Sequence, residues 1–244
     1  MKRLVSQEML EFIEALRFLT ILPLRAPFNE SALRKSPRVF PLAGLFIGIV
    51  TSISFLIISR ISTREIASLI TLFVWEVITG GIHLDGFADT LDGIMSRRDR
   101  EGILEIMRDS RIGTFGATGI FFMLGLKYLA ISNSGVPVYT LLLSPVIGRF
   151  LITLSIYLFP YARITGKGSI FSGGIKREDL LFSLIITIIL SLLIGRIRGV
   201  LVFAVTVISG LIFAGYLNKR IGGLTGDNYG AICEFAEVIS LLLL

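Results

Sequence analysis

Three aspartates stand at helical spacing in the motif HLDGFADTLDG (residues 83–93): Asp85, Asp89 and Asp92. Because this spacing is i, i+4, i+7, their carboxylates share one face of a helix. Three neighbouring carboxylates repel one another unless a cation lies between them, and oxygen ligands without cysteine or several histidines favour magnesium. The motif therefore predicts a magnesium site, with a solvated acidic helix face as the alternative.

A candidate phosphate site follows in the stretch DSRIGTFG (109–116). Ser110, Arg111 and Thr114 come directly before an apolar run, so a guanidinium and the first N–H groups of a helix can face an anion there. Contact of Arg111 with lipid headgroups is the alternative that the spacing leaves open.

Polar stretches with several glycines occur at two further places, YARITGKGSIFSGG (161–174) and GGLTGDNYGAICEFAE (222–237). In the first stretch, Lys167 and Ser169 are suited to hold a phosphate or a nucleotide. In the second, Asp227 adds a carboxylate. We expect both stretches to contribute to the same site as the aspartates.

Five charged residues lie within otherwise apolar stretches: Glu76, Lys127, Arg149, Glu234 and Glu237. A charge inside a membrane normally faces a cavity or a partner. Glu234 shares a helical face with Asp227, which favours a site. An ion pair of Glu234 with Arg149 or Lys127 is an equal alternative.

Three other residues are assigned supporting or packing roles. His83 is the single histidine, so it cannot form a zinc site with other histidines. Beside Asp85 it can order a water or contact phosphate. Trp75 and Cys233 are interpreted as packing residues.

The elements that must position these groups are membrane helices. The 244 residues are 53% hydrophobic and only 17% charged, with a mean hydropathy of +0.81, whereas an ordinary soluble domain is about 25% charged. This composition excludes a soluble enzyme and a disordered chain. The net charge of +6 is interpreted as loops beside anionic lipid, without a nucleic-acid partner.

The apolar stretches predict an all-α polytopic membrane protein with six to seven transmembrane helices, because about 20 apolar residues cross a bilayer core. Six spans are predicted at 39–59, 66–84, 112–131, 137–158, 180–195 and 199–217, with a possible seventh at 228–244. Before them, Ser6 to Leu22 has apolar positions every three or four residues, which predicts an amphipathic helix on the membrane surface.

The basic residues indicate which side of the membrane carries the polar loops. Eighteen Lys and Arg fall in one set of alternate loops and four in the other. By the positive-inside rule, the N-terminal segment 1–38 and the acidic loop 85–111 are predicted to be cytoplasmic. We expect one domain, 1–244, in the cell membrane, with its active site facing the cytoplasm.

Three blocks of the sequence resemble the signatures of the cobalamin synthase family, also called adenosylcobinamide-GDP ribazoletransferase or cobalamin-5′-phosphate synthase. They are GGIHLDGFADTLDG (80–93), EIMRDSRIGTFG (105–116) and GGLTGDNYGAICE (222–234). Weaker family patterns are matched by FPLAGLFIG (40–48) and YARITGKG (161–168). The resemblance runs from about Phe18 to the C-terminus.

The resemblance implies a magnesium-dependent membrane transferase acting late in cobalamin biosynthesis. Such an enzyme joins adenosylcobinamide-GDP to α-ribazole, or to its 5′-phosphate, and releases GMP. The ribazole 3′-hydroxyl attacks the phosphate on the cobinamide side of the pyrophosphate. The oligomeric state stays open, with a homo-oligomer as one possibility.

The resemblance also implies roles for individual residues. The metal set comprises Asp85, Asp89, Asp92 and Asp109. Ser110, Arg111, Thr114 and Lys167 form the expected phosphate-binding set. Asp89 or Asp227 would receive the hydroxyl proton, with His83 in support.

Two rival interpretations remain at this stage. The stretch DTLDGIMSR (89–97) is similar to the signature D-x-x-D-G-x-x-A-R of CDP-alcohol phosphotransferases, with Ser96 in place of Ala. An ion-coupled transporter is the second rival, because Glu76, Arg149 and Glu234 lie in glycine-interrupted spans.

Overall fold

The chain folds into α-helices joined by short connections in the computed structural model, which describes residues 6–163 and 165–244, with the backbone alone at Lys167. β-Pairing in the described residues is limited to one bridge between Tyr161 and Leu224. The α-helices are α1 (Gln7–Leu19), α2 (Glu30–Lys35), α3 (Phe40–Ile58), α4 (Arg64–Thr79), α5 (Ile82–Met95), α6 (Arg100–Ile106), α7 (Thr114–Asn133), α8 (Pro137–Leu158), α9 (Arg177–Ile221) and α10 (Gly226–Leu243), with 3-10 helices at Ser36–Val39 and Lys167–Phe171. The all-α prediction is confirmed.

Several of these helices are long and apolar enough to cross a membrane. Counted over the described residues they are four: the helical run Glu30–Ile58, which includes α2 and α3, and the helices α7, α8 and α9. The pair α4 and α5 adds a fifth span if its two arms, bent by 87°, are taken together. This agrees with the predicted polytopic membrane protein.

The predicted number of six to seven spans exceeds this count because of α9 and α10. Residues 180–195 and 199–217, predicted as two spans, both lie in the 45-residue helix α9. The helix breaks at Arg196, where φ is 54° and ψ is −147°. Just beyond the break, Gly199 lies against the carbonyl of Ser191, so the chain reverses and α9 consists of two arms. The possible seventh span, α10, carries three acids and is not among the four.

Helix α8 lies at the centre of the bundle and packs against α3, α9 and α10. In the most apolar segment of α8, 78% of the residues are buried, whereas in the corresponding segment of α9 only 17% are buried. Close approach to α3 depends on small residues, since a Cβ on Gly48 would lie 2.8 Å from the carbonyl oxygen of Leu141. Small residues at such crossings are typical of helices packed in a membrane.

Large apolar side chains cover the outside of the bundle. Examples exposed by about two thirds or more are Phe73, Phe121, Leu193 and Ile212. A soluble monomer rarely exposes apolar side chains in such number. The outer surface therefore suits contact with lipid chains.

The predicted N-terminal amphipathic helix is present as α1, but two of its three glutamates are buried, which is not expected for a helix lying on the membrane surface. Glu11 and Glu14 are each 1% exposed. Arg38 forms an ion pair with Glu11 at 2.8 Å, and Arg17 forms one with Glu14 at 2.5 Å. Because nearby arginines neutralise both acids, α1 packs the face that carries them against the protein.

The segment 85–111, predicted as a loop, is mostly helical. Gly80 and Gly81, both at φ 64°, end α4 and turn the chain into α5, a backbone conformation that glycine adopts without strain. Asp99 then caps α6 by accepting a hydrogen bond from the N–H of Gly102 at 3.0 Å. The acidic motif therefore lies on helix α5, which packs against α7 and α10.

Candidate functional site

The site forms where α5 crosses α10. A Cβ on Gly86 would lie 2.7 Å from the carbonyl oxygen of Asp227, and a Cβ on Gly230 would lie 3.0 Å from the backbone of His83. Side chains of ordinary size do not fit at either contact. The glycines of both motifs therefore let the two helices meet, which brings segments that are far apart in the chain into one site.

Polar connections on the same face of the bundle also converge there. Arg100, at the start of α6, donates one hydrogen bond to the carbonyl of Ile221 at 2.7 Å and one to the carbonyl of Ala162 at 3.2 Å. Tyr161 and Leu224 form the bridge between the same two connections. The segment that contains the aspartates and the two glycine-containing stretches 161–174 and 222–237 thus come together on one face of the bundle.

A cavity of about 230 Å³ lies at this crossing. Its charged and imidazole-bearing lining residues are His83, Asp85, Arg163 and Asp227. Asp85 also borders a neighbouring groove of about 570 Å³, whose lining is about equally polar and apolar. The smaller cavity can hold the polar end of a ligand, since sites for whole drug-sized ligands measure about 300–1,000 Å³.

The three aspartates of α5 have different surroundings. Asp85 is exposed at the cavity, and Asp89 is half-buried within reach of the charges of Asp85, Asp92 and Asp227. Neither Asp85 nor Asp89 has a hydrogen-bond partner among the described residues. Both are therefore available to a ligand.

Asp92 is engaged in a structural contact that the spacing did not predict. Its carboxylate accepts hydrogen bonds from the N–H of Gly113 at 2.7 Å and from the N–H of Gly116 at 2.8 Å. These donors belong to the start of α7, where helix N–H groups have no partners of their own. Asp92 thus joins α5 to the N-terminus of α7.

The described residues do not form a ready-made metal cage. No group of three or more His, Cys, Asp or Glu side chains among them is close enough to hold a metal ion. The donor chemistry nevertheless suits magnesium, which is commonly bound through one or two carboxylates together with substrate phosphates. Asp85 and Asp89, one helical turn apart, provide such a pair.

The predicted phosphate-binding residues before α7 do not line the cavity. Arg111 has a side chain that is 86% exposed and pairs with Asp109 at 2.6 Å. Hydrogen bonds from Arg111 lower the pKa of Asp109 to about 2. Ser110 and Thr114 are exposed beside them. The expected fourth metal carboxylate and the expected arginine therefore neutralise each other, outside the cavity.

Two predicted phosphate residues remain. Ser169 donates a hydrogen bond to the carbonyl of Gly166 at 2.7 Å, and Lys167 has a side chain that lies outside the described residues. An arginine that was not predicted for this role lies four residues before Lys167. Arg163 lines the cavity, and its Nη1 donates a hydrogen bond to Oδ2 of Asp227 at 2.8 Å. Its position in the quoted stretch YARITGKG was the available signal, because arginine is the side chain best suited to bind phosphate.

The charged residues inside the apolar stretches form a buried ion network. Lys127 lies 2.7 Å from Glu234, 2.6 Å from Glu237 and 3.5 Å from Glu76. Arg149 also pairs with Glu237. The open alternative for Glu234 is therefore resolved in favour of an ion pair, with Lys127 as the partner.

His83 connects this network to the cavity. Its Nδ1 lies 3.3 Å from Nη2 of Arg149. Since a guanidinium only donates, Nδ1 accepts and the ring proton belongs on Nε2. His83 thus lies in the predicted place beside Asp85, with its orientation set by Arg149.

The two predicted packing residues are buried. Trp75 is 1% exposed, and its ring lies under the Lys127 ammonium, 4.8 Å from the centroid. Cys233 is fully buried, and its Sγ lies 2.9 Å from where a Cβ on Gly148 would stand. Both side chains fill the helix interfaces around the ion network.

Comparison with known proteins assigns the chain to a family. The model of the cobalamin-5-phosphate synthase family matches residues 11–244. A protein named adenosylcobinamide-GDP ribazoletransferase from Roseiflexus sp. is 40% identical over 95% of this chain and 87% of its own length. Proteins of the same name are 36% identical in Alkaliphilus metalliredigens, over 97% and 95% of the two chains, and 36% identical in Escherichia coli, over 84% and 85%. No solved structure matches. With these matches over nearly its whole length, the chain belongs to the cobalamin-5-phosphate synthase family.

Proposed function

We propose that this protein is a membrane transferase that joins adenosylcobinamide-GDP to α-ribazole, or to its 5′-phosphate, with release of GMP. The names of its relatives support this activity. The observation that carries it is the cavity at the crossing of α5 and α10, where two carboxylates and a guanidinium face one another. Phosphoryl transfer requires this combination of charges.

The proposed reaction exchanges a phosphoanhydride bond for a phosphodiester bond. The 3′-hydroxyl oxygen of the ribazole forms a bond to the phosphorus on the cobinamide side, and the bond from that phosphorus to the bridging oxygen breaks. GMP leaves with the bridging oxygen, and the hydroxyl proton passes to a carboxylate. Asp227 is our candidate for this acceptor, because it lines the cavity and only its Oδ2 is engaged by Arg163.

Magnesium is part of the proposal. Asp85 and Asp89 would hold the ion, with Asp92 and Asp109 committed elsewhere. When bound, magnesium would neutralise charge that develops on the phosphate oxygens. His83, fixed by Arg149, would contribute an N–H donor to the ligand in the cavity.

The size of the cavity suggests how a large corrinoid is accommodated. About 230 Å³ is enough for a phosphate and its neighbours but not for the macrocycle. The groove that shares Asp85 opens beside it. We propose that the nucleotide linkage enters the cavity while the corrinoid stays outside, at the cytoplasmic face of the cell membrane.

The rival interpretations have less support. The family match covers residues 11–244, whereas the likeness to CDP-alcohol phosphotransferases is confined to 89–97. The residues on which a transporter would depend, Glu76, Arg149 and Glu234, are engaged in ion pairs.

The activity can be tested with purified protein in detergent or lipid nanodiscs. Adenosylcobinamide-GDP, α-ribazole and magnesium should yield GMP and a cobalamin product in equal amounts. A chelator should stop the reaction, and added magnesium should restore it. GMP release that does not depend on the ribazole would mean that the protein hydrolyses its substrate, which would contradict the proposal.

A further inference from the structure

Arg163 has two buried hydrogen-bond donors that no other described residue satisfies. Its side chain is 10% exposed. Nη1 is bound to Asp227, but Nε and Nη2 have no hydrogen-bond partner among the described residues. Leaving charged donors buried and unpaired is strongly unfavourable, so this arginine is prepared for a ligand that the protein alone does not supply.

The free donors have the geometry of an anion site. In a guanidinium, Nε and Nη2 form one edge with two parallel N–H groups, which match two oxygens of a phosphate. The hydrogen bond to Asp227 engages the other nitrogen and fixes the rotation of the group. Arg163 therefore presents its bidentate edge at the wall of the cavity.

The surrounding backbone also favours an anion. Helix α10 begins at Gly226, capped by Thr225, and its N-terminal end carries partial positive charge. Gly168 lies close by, since a Cβ there would be 3.3 Å from the Cα of Gly226. The hydroxyl of Tyr161 lies at the N–H groups of both glycines, so the N-terminal end of α10 favours an anion in the cavity through its partial charge.

We propose that Arg163 binds a phosphate group of a substrate through its Nε–Nη2 edge, with Asp227 as the residue that positions it. This inference rests on the proposed transferase function and specifies how its substrate is held. The phosphate belongs either to the pyrophosphate of the nucleotide donor or to the 5′-phosphate of the acceptor. Arg163 also offsets the carboxylates of Asp85 and Asp227, which would otherwise repel either group.

Binding of inorganic pyrophosphate tests the site without requiring turnover. In detergent, pyrophosphate should raise the thermal midpoint of the unmodified protein, and its Kd should rise about 10- to 100-fold in Arg163→Gln, since a charge-assisted pair of hydrogen bonds is lost. Arg163→Lys should bind pyrophosphate with intermediate affinity, because an ammonium keeps the charge but lacks the two parallel N–H donors of the guanidinium edge. Arg60→Gln, which removes an exposed arginine between α3 and α4, is the matched control and should bind normally.

Kinetics with the two acceptors identify the phosphate. If Arg163→Lys raises KM for adenosylcobinamide-GDP about 10-fold or more with either acceptor, the Nε–Nη2 edge of Arg163 binds the donor pyrophosphate. If the variant raises KM only for α-ribazole 5′-phosphate and not for α-ribazole, the Nε–Nη2 edge of Arg163 binds the acceptor phosphate. Both results support the proposal, whereas unchanged KM values and unchanged pyrophosphate affinity would overturn it.

The two proposals fail separately. If the protein binds pyrophosphate through Arg163 but releases no GMP, the proposed phosphate site stands and the proposed transferase function is contradicted. If the unmodified protein releases GMP normally and Arg163→Lys is indistinguishable from it, the transferase function stands and the phosphate site at Arg163 is excluded. Because Arg163→Lys keeps the partner of Asp227 charged, it provides the decisive result if Arg163→Gln does not fold.

Discussion

Gly86 of α5 lies directly against the backbone of Asp227 in α10, so that a Cβ on Gly86 would stand 2.7 Å from the carbonyl oxygen of Asp227. Gly86→Ala should therefore push the two helices apart. We expect a loss of about 1–3 kcal/mol in stability, as for overpacked cores, and a larger fractional loss of GMP release, because Asp85 and Asp227 separate.

The control for this change is Gly125→Ala in α7, where an added Cβ meets no atom within 4 Å. It should keep full activity, and its Tm in detergent should be unchanged or slightly higher, since alanine favours the helix. Equal activity of Gly86→Ala and Gly125→Ala would contradict the importance of the α5–α10 contact.

Asp89→Asn should reduce turnover about 100-fold or more while the protein stays folded. The amide keeps the shape but removes a charge needed beside magnesium, and metal-assisted phosphoryl transfer depends on several kcal/mol of charge stabilisation. The apo variant should be as stable as the parent or slightly more so, because repulsion from Asp85 is removed. Turnover should be measured at saturating magnesium.

Asp99→Asn is the matched control for this aspartate. Asp99 caps α6, and asparagine is an equally good cap, so stability and turnover should both be retained. Near-normal turnover of Asp89→Asn, or equal losses in the two variants, would show that the aspartates of α5 do not hold the metal.

Asp92→Ala should act on stability rather than on the metal. The variant loses two hydrogen bonds to the start of α7, and we expect a cost of about 2 kcal/mol, seen as a lower Tm in detergent. The magnesium concentration that gives half-maximal GMP release should not change. A large rise in that concentration with an unchanged Tm would make Asp92 a metal ligand instead.

Lys127→Met should destabilise the bundle by about 3–5 kcal/mol, because removing one partner of a buried ion pair leaves the others uncompensated. The yield of folded protein after size-exclusion chromatography measures this loss. Lys127→Met with Glu234→Gln should recover part of it, since one uncompensated carboxylate is removed. Lys35→Met, at an exposed lysine in α2, should behave like the parent.

The proposed orientation can be tested by cysteine labelling in a Cys233→Ala background. Glu101→Cys in α6 and Lys219→Cys in α9 change exposed residues on the face that carries the site. An impermeant reagent applied to whole cells should leave both unlabelled and should label Arg60→Cys, which is predicted to be on the opposite face. Labelling of Glu101→Cys from outside would contradict a cytoplasmic active site.

Much of the fold followed from the apolar pattern, because lipid imposes helices of a minimum length. The exceptions are α9 and α10. A break at a single residue, Arg196, leaves hydropathy unchanged, so the pattern could not show how the two arms are joined. The acids of α10 make it less apolar, and only its position beside Lys127 and Arg149 explains why they are tolerated.

The sequence indicated which segments form the candidate site, but not which of its side chains bond to one another. Helical spacing predicted that Asp85 and Asp89 share one face, and the stretch that contains Asp227 was expected at the same site. In the structure the charges of Asp85 and Asp227 both act on Asp89. Spacing could not show that Asp92 bonds to α7 or that Asp109 is paired with Arg111, since such contacts depend on how separate helices and turns meet. Arg163 was missed for the same reason, because its role depends on Asp227 in a distant segment.

The placement of Glu234 and Glu237 on α10 has a consequence for the synthesis and membrane insertion of this protein. Lys127 and Arg149 leave the ribosome well before the two glutamates that neutralise them. During translation, α7 and α8 therefore enter the membrane with cations that have yet to meet α10. Insertion of α10 then completes the ion network and brings Asp227 against α5, so the cavity at their crossing cannot form before α10 is in place.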